Sequence, residues 1–96
     1  MYTIPEYKYD DFIMDTLKKL NYKISREAVF IMLEDGILTE ETDFEAYFIA
    51  KKLKDTKKIL LNNDLNKAIN YLRIGFTTKV ADDLEYLLRE FLKTLN

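Results

Sequence analysis

The segment KVADDLEYLLREFLKTL, residues 79–95, has the most regular helical pattern in this chain. Its apolar residues recur at spacings of three and four, which places them along one face of a helix. Seven residues form this stripe: Val80, Leu84, Leu87, Leu88, Phe91, Leu92 and Leu95. Thr77 or Thr78 is a suitable N-cap for the helix. The segment therefore predicts a helix over Lys79–Leu95 that packs its leucines against other helices.

The same period predicts four earlier helices. They cover Glu6–Leu20, Arg26–Glu34, Asp43–Lys54 and Asp64–Ile74. Residues 54–64 fit either an extension of the third helix or a separate short turn. The chain has two glycines and one proline, too few turn formers for an all-β fold. We therefore expect an all-α fold, a compact single-domain bundle of four to five helices across residues 1–96.

Short polar residues predict where these helices begin and end. Thr3 and Thr42 each stand three residues before a glutamate, which is the spacing of a capping box. Ser25 and Asp64 are suitable N-caps for the second and fourth helices. Gly36 follows the second helix, where a left-handed residue commonly ends one.

The missing residue types exclude several kinds of chemistry. The sequence has no histidine, no cysteine and a single serine, Ser25. Zinc sites built from histidine and cysteine, catalytic triads and cysteine nucleophiles are therefore excluded. No phosphate-binding glycine motif occurs either. We expect a protein that is not an enzyme and that carries no cofactor and no metal.

The sequence also bears on compartment. No apolar run approaches the roughly 18 residues of a membrane-spanning helix. The opening residues, MYTIPEYKYDD, lack the basic start and apolar stretch of a secretory signal. A chain without cysteine suits a reducing environment. We therefore expect a cytoplasmic protein.

Charge is distributed unevenly along the chain. The segment EDGILTEETDFE, residues 34–45, has six carboxylates and no cation. A calcium loop of the EF-hand type with Gly36 at its sixth position fails, because Ile31 and Leu33 then occupy ligand positions. The acids either complement helix dipoles or form a surface that docks on a basic site of another protein. The candidate partner-binding residues are Glu34, Asp35, Glu40, Glu41 and Asp43, with the aromatic residues Tyr7 and Tyr9.

The basic segment KKLKDTKK, residues 51–58, offers an alternative. Its lysines could contact phosphates, and the candidates are Lys51, Lys52, Lys54, Lys57 and Lys58. The last two helices could also form a helix-turn-helix around Gly75. The helix after Gly75 would then contact the nucleic acid, but its start is acidic, which opposes such contact.

The third helix is apolar on nearly every side, which is typical of a central helix or of one with a face covered by a partner. A homodimer is one such arrangement. We expect a small regulator or inhibitor that binds another protein through an acidic surface. A phage or mobile-element protein that blocks a host defence or replication factor, as anti-CRISPR proteins do, has this profile. An immunity protein against a bacteriocin or toxin has it too, and a small nucleic-acid-binding regulator is the further alternative.

Overall fold

The computed structural model describes residues 2–37, 39 and 43–95, and over these residues the chain forms five α-helices and no strand. The helices are α1 (Glu6–Lys19), α2 (Arg26–Asp35), α3 (Phe44–Leu61), α4 (Leu65–Arg73) and α5 (Thr78–Lys93). The predicted all-α single-domain bundle is confirmed. Within the described ranges, no helix has the length and apolarity needed to cross a lipid bilayer.

The central element is α3, which packs against α1, α2 and α4. It continues to Leu61 and so includes most of the segment for which the sequence left two possibilities. Leu60 and Thr56 are fully buried in this extension. The hydroxyl of Thr56 donates to the carbonyl of Lys52 at 2.6 Å, so its polar group is satisfied inside the helix. The long helix therefore gives the other helices one shared surface.

The leucine stripe of α5 packs as its spacing predicts. Leu84 and Leu88 are fully buried, and Leu92 is nearly so. Burial of each such side chain contributes about 1.5–3 kcal/mol. The ring of Phe91 stacks on that of Phe12 with 4.5 Å between centroids, which ties α5 to α1.

Most predicted helix ends are confirmed. The hydroxyl of Ser25 accepts from the N–H of Ala28, and the carboxylate of Asp64 accepts from the N–H of Lys67. Gly36 ends α2 with φ of +68°, in the left-handed region that glycine adopts without strain.

Two predicted capping boxes differ from the structure. The N-cap of α1 is Pro5, without any side-chain capping bond, so the capping box at Thr3 is wrong. Helix α3 is capped by Asp43, one residue after the predicted Thr42, which lies outside the described residues. Proline lacks an N–H and has a fixed φ, so it can begin a helix without a side-chain cap.

Candidate functional site

The lysines of the basic segment have neighbours within the chain. The Nζ of Lys52 donates to the carbonyl of Tyr71 at 3.0 Å and lies 4.0 Å from the centre of that ring, on α4. The Nζ of Lys54 donates to the carbonyl of Leu33 at 3.3 Å, at the end of α2. These two lysines therefore hold neighbouring helices against α3.

The other three lysines are also engaged. The Nζ of Lys57 lies 5.6 Å from the centre of the Tyr9 ring on α1. Asp55 receives Lys51 at 3.6 Å and Lys58 at 3.9 Å on the surface of α3. Intramolecular contacts thus take up part of the positive charge that a nucleic acid would need, and binding through this segment stays an untested prediction.

The acidic candidates have local roles as well. Glu34 and Asp35 are exposed at the C-terminal end of α2, where negative charge opposes the helix dipole. Lys54 reaches the last turn of that helix and supplies the compensating cation. The carboxylate of Asp43 accepts from the N–H of Glu45 at 2.9 Å and so caps α3. Glu40 and Glu41 lie outside the described residues.

The two candidate tyrosines differ sharply in exposure. Tyr7 is 64% exposed, but Tyr9 is 1% exposed and its hydroxyl donates to the carbonyl of Leu53. Burial raises the pKa of Tyr9 well above its ordinary value, so its hydroxyl stays protonated. Tyr9 is therefore a core residue with no ring surface for a partner. Sequence analysis missed this because the helical period shared by Tyr9 and Phe12 does not report how deeply each is covered.

Two of the described candidate residues, Tyr7 and Asp43, do not lie on one surface. Tyr9 meets Leu53 at the middle of α3, whereas Tyr22, which follows α1, interacts with Glu45 at the start of α3. Burial and this hydrogen bond to Glu45 raise the pKa of Tyr22. Helix α1 therefore runs antiparallel to α3, and Tyr7 lies at the end of the bundle opposite Asp43.

A different surface emerges beside Asp43. Phe44 is 71% exposed and Phe48 is 42% exposed, one turn apart on α3. The ring of Phe76 lies 5.1 Å from that of Phe48, centre to centre, and the adjoining Ile74 is 63% exposed. We call these four residues, Phe44, Phe48, Ile74 and Phe76, the aromatic surface. The run FEAYF indicated an apolar helix but not which of its faces would stay uncovered.

The turn between α4 and α5 holds the aromatic surface in place. Gly75 has φ of +92°, and a Cβ atom there would lie 3.1 Å from Cζ of Phe48. Only glycine therefore lets this turn approach the ring so closely. Arg73 pairs with Asp82 at 2.7 Å and with Glu85 at 2.9 Å, which links the two helices that flank the turn. The ion pairs of Arg73 thus hold the turn that packs against the ring of Phe48.

The carboxylates of the described residues form no group of three or more that could hold a metal ion. Comparisons with protein-family models, with curated protein sequences and with solved structures each return no match.

Proposed function

We propose that this protein is a non-enzymatic regulator or inhibitor that binds another protein through the aromatic surface. The observation that carries the proposal is the pair Phe44 and Phe48, which expose 71% and 42% of their area on adjacent turns of one helix. Large apolar side chains grouped at a surface commonly mark a protein interface. Buried aromatic anchors supply most of the binding energy at such interfaces.

The charges at the Phe44 end of the aromatic surface favour a partner with basic residues at that end. Asp43 and Glu45 are exposed beside Phe44, and the preceding sequence adds further acids. Complementary charge speeds association and sets orientation, while the apolar centre supplies affinity. The partner we propose therefore has an apolar pocket bordered by lysine or arginine.

Such a partner fits the roles expected from the sequence. A host defence or replication protein that normally holds nucleic acid presents a basic site, and a phage or mobile-element protein could block it. A toxin neutralised by an immunity protein is the second role. We place the interaction in the cytoplasm, because a chain without cysteine suits a reducing compartment.

The main experiment compares two exposed aromatic positions. Tagged wild type, Phe44→Ser and Tyr86→Ser would be incubated with nuclease-treated lysate of the source cell or its host, and retained proteins identified by mass spectrometry. Tyr86 is 63% exposed on α5 and is the matched control. We expect one stoichiometric protein with wild type and Tyr86→Ser. Phe44→Ser should bind the purified partner at least roughly thirtyfold more weakly, as for loss of a hot-spot residue.

A second variant isolates the charge. Asp43→Ser keeps an N-cap oxygen on α3 but removes the carboxylate, so helicity should be unchanged. The association rate should fall, and it should depend less on salt than that of wild type. Equal retention of wild type and Phe44→Ser would refute the proposal. If the molar mass of purified wild type in solution is twice that of the chain, and that of Phe44→Ser is not, the aromatic surface is a homodimer interface instead.

A further inference from the structure

A groove of about 290 Å³ lies among α1, α2 and α3, away from the aromatic surface. Helices α1 and α2 each pack against α3, an ion pair of 2.7 Å joins Asp11 of α1 to Arg26 of α2, and residues of all three helices line the groove. Its floor is apolar. Phe30, Leu33 and Leu61 line it, together with the almost fully buried Tyr9 and Ile13.

Opposite charges line the two sides of this groove. Glu6, Asp10 and Glu34 come from α1 and α2, and Lys54, Lys57 and Lys58 come from α3. Among these described residues, no carboxylate lies within 4.0 Å of an ammonium group across the groove. The groove therefore holds acids and bases that do not pair with each other across it.

Asp10, on the acidic side of the groove, is partly buried and has two acidic neighbours. Burial first, and then Glu6 and Glu34, raise the pKa of the Asp10 carboxyl. Arg26 and Lys57 act in the opposite direction but do not cancel this rise.

We propose that this groove binds a free α-amino acid with an apolar side chain, of the leucine or phenylalanine class. Its ammonium group would lie against the acids of α1 and α2, its carboxylate against the lysines of α3, and its side chain on the apolar floor. A zwitterion of this kind bridges acids and bases that are too far apart to pair directly. The volume lies near the lower limit of small-molecule sites, which suits a ligand of this size.

The test uses L-phenylalanine and L-leucine as probes, followed by chemical-shift changes in the ¹⁵N-labelled protein. Two analogues of phenylalanine each lack one charge: 3-phenylpropanoate has no ammonium group, and L-phenylalaninamide has no carboxylate. We expect L-phenylalanine to bind at least about tenfold more tightly than either analogue, the size of one lost charge-assisted hydrogen bond. The shifts should centre on residues of the groove such as Phe30.

Matched variants locate the site. Glu34→Gln and Lys57→Gln neutralise opposite sides of the groove and should each weaken binding of L-phenylalanine about tenfold. Lys67→Gln, at an exposed position on α4, should bind as wild type does. Circular dichroism would verify that each variant is folded. The proposal is overturned if neither amino acid shifts the groove resonances at millimolar concentration, if the analogues bind equally well, or if both groove variants bind like wild type.

This site is independent of the proposed partner. Phe44→Ser should bind L-phenylalanine normally, and Asp10→Asn, on the acidic side of the groove, should retain any protein captured by wild type. The two proposals can therefore fail separately.

Discussion

Removing the Tyr9 hydroxyl tests the assignment of this residue to the core. Tyr9→Phe deletes the hydrogen bond to the carbonyl of Leu53 and leaves the ring in place. That carbonyl keeps the bond to an amide one turn later that α-helix geometry gives it, so no acceptor is orphaned. The free energy of unfolding should therefore fall by about 1 kcal/mol, the usual net value of one intramolecular hydrogen bond. For a domain of this size, that lowers the melting temperature by about 4–8 °C.

Tyr9→Ala extends the same experiment to the ring. The Tyr9 ring lies 5.5 Å from that of Phe12 and 5.7 Å from that of Phe91, centre to centre, in edge-on contacts. Replacing a buried aromatic side chain with alanine costs about 3–5 kcal/mol. Total stability of such domains is only about 5–15 kcal/mol. Tyr9→Ala should therefore lose a large fraction of the free energy of unfolding, several times the loss in Tyr9→Phe.

Thermal unfolding followed by circular dichroism measures both effects. Tyr86→Phe is the control, because its side chain is 63% exposed, and it should melt within a degree or two of wild type. A wild-type melting temperature for Tyr9→Phe would contradict the assigned hydrogen bond. Loss of partner binding by Tyr9→Phe without a change in stability would restore Tyr9 as a contact residue.

Four further substitutions test three separate features. Asp10→Asn should stabilise the protein near pH 7 and lose that gain near pH 3. The reason is that a carboxyl whose pKa is raised in the folded state costs stability only when the pH is above its ordinary pKa of 3.8. Urea midpoints at both pH values measure this, and an equal gain at both would exclude a charge effect. Gly75→Ala should cost about 1–2 kcal/mol or more, because its φ is +92° and the new Cβ meets Phe48. Gly36 has φ of +68°, and no atom lies within 4 Å of a Cβ added there, so Gly36→Ala should lower the free energy of unfolding by less than Gly75→Ala does. Urea titration compares the two variants, and a larger loss in Gly36→Ala would be inconsistent with the contact to Phe48. Arg73→Gln should lower the melting temperature by removing two ion pairs between α4 and α5, and the difference should shrink at high salt; a difference that does not depend on salt would point to lost packing instead.

The local features of this fold could be predicted because they depend on residues a few positions apart. Ser25 and Asp64 cap their helices through amides three residues later, and Gly36 ends α2 through its own backbone freedom. The stripe that includes Leu84 and Leu88 needs only the helical period. The helices and most of their ends follow from such patterns, but the C-terminal end of α3 at Leu61 does not.

The candidate surfaces could be predicted only in part. The sequence marked Glu34 and Lys54 as members of two separate charged segments, yet both line one groove. Phe44 was part of an apolar run, yet it is among the most exposed apolar residues of the described chain. The spacing of Tyr9 along α1 fitted a half-exposed aromatic residue equally well, but the structure buries it.

By itself, the sequence determined the helices, most of their ends and the absence of several catalytic chemistries. The tertiary structure alone decided how far α3 extends, which of its faces is uncovered and which charges share a groove. The physical reason is that helical periodicity specifies which residues lie on one face, whereas burial of that face depends on helices distant in sequence. Leu53 and Tyr9, 44 residues apart, meet only because α1 packs antiparallel on α3.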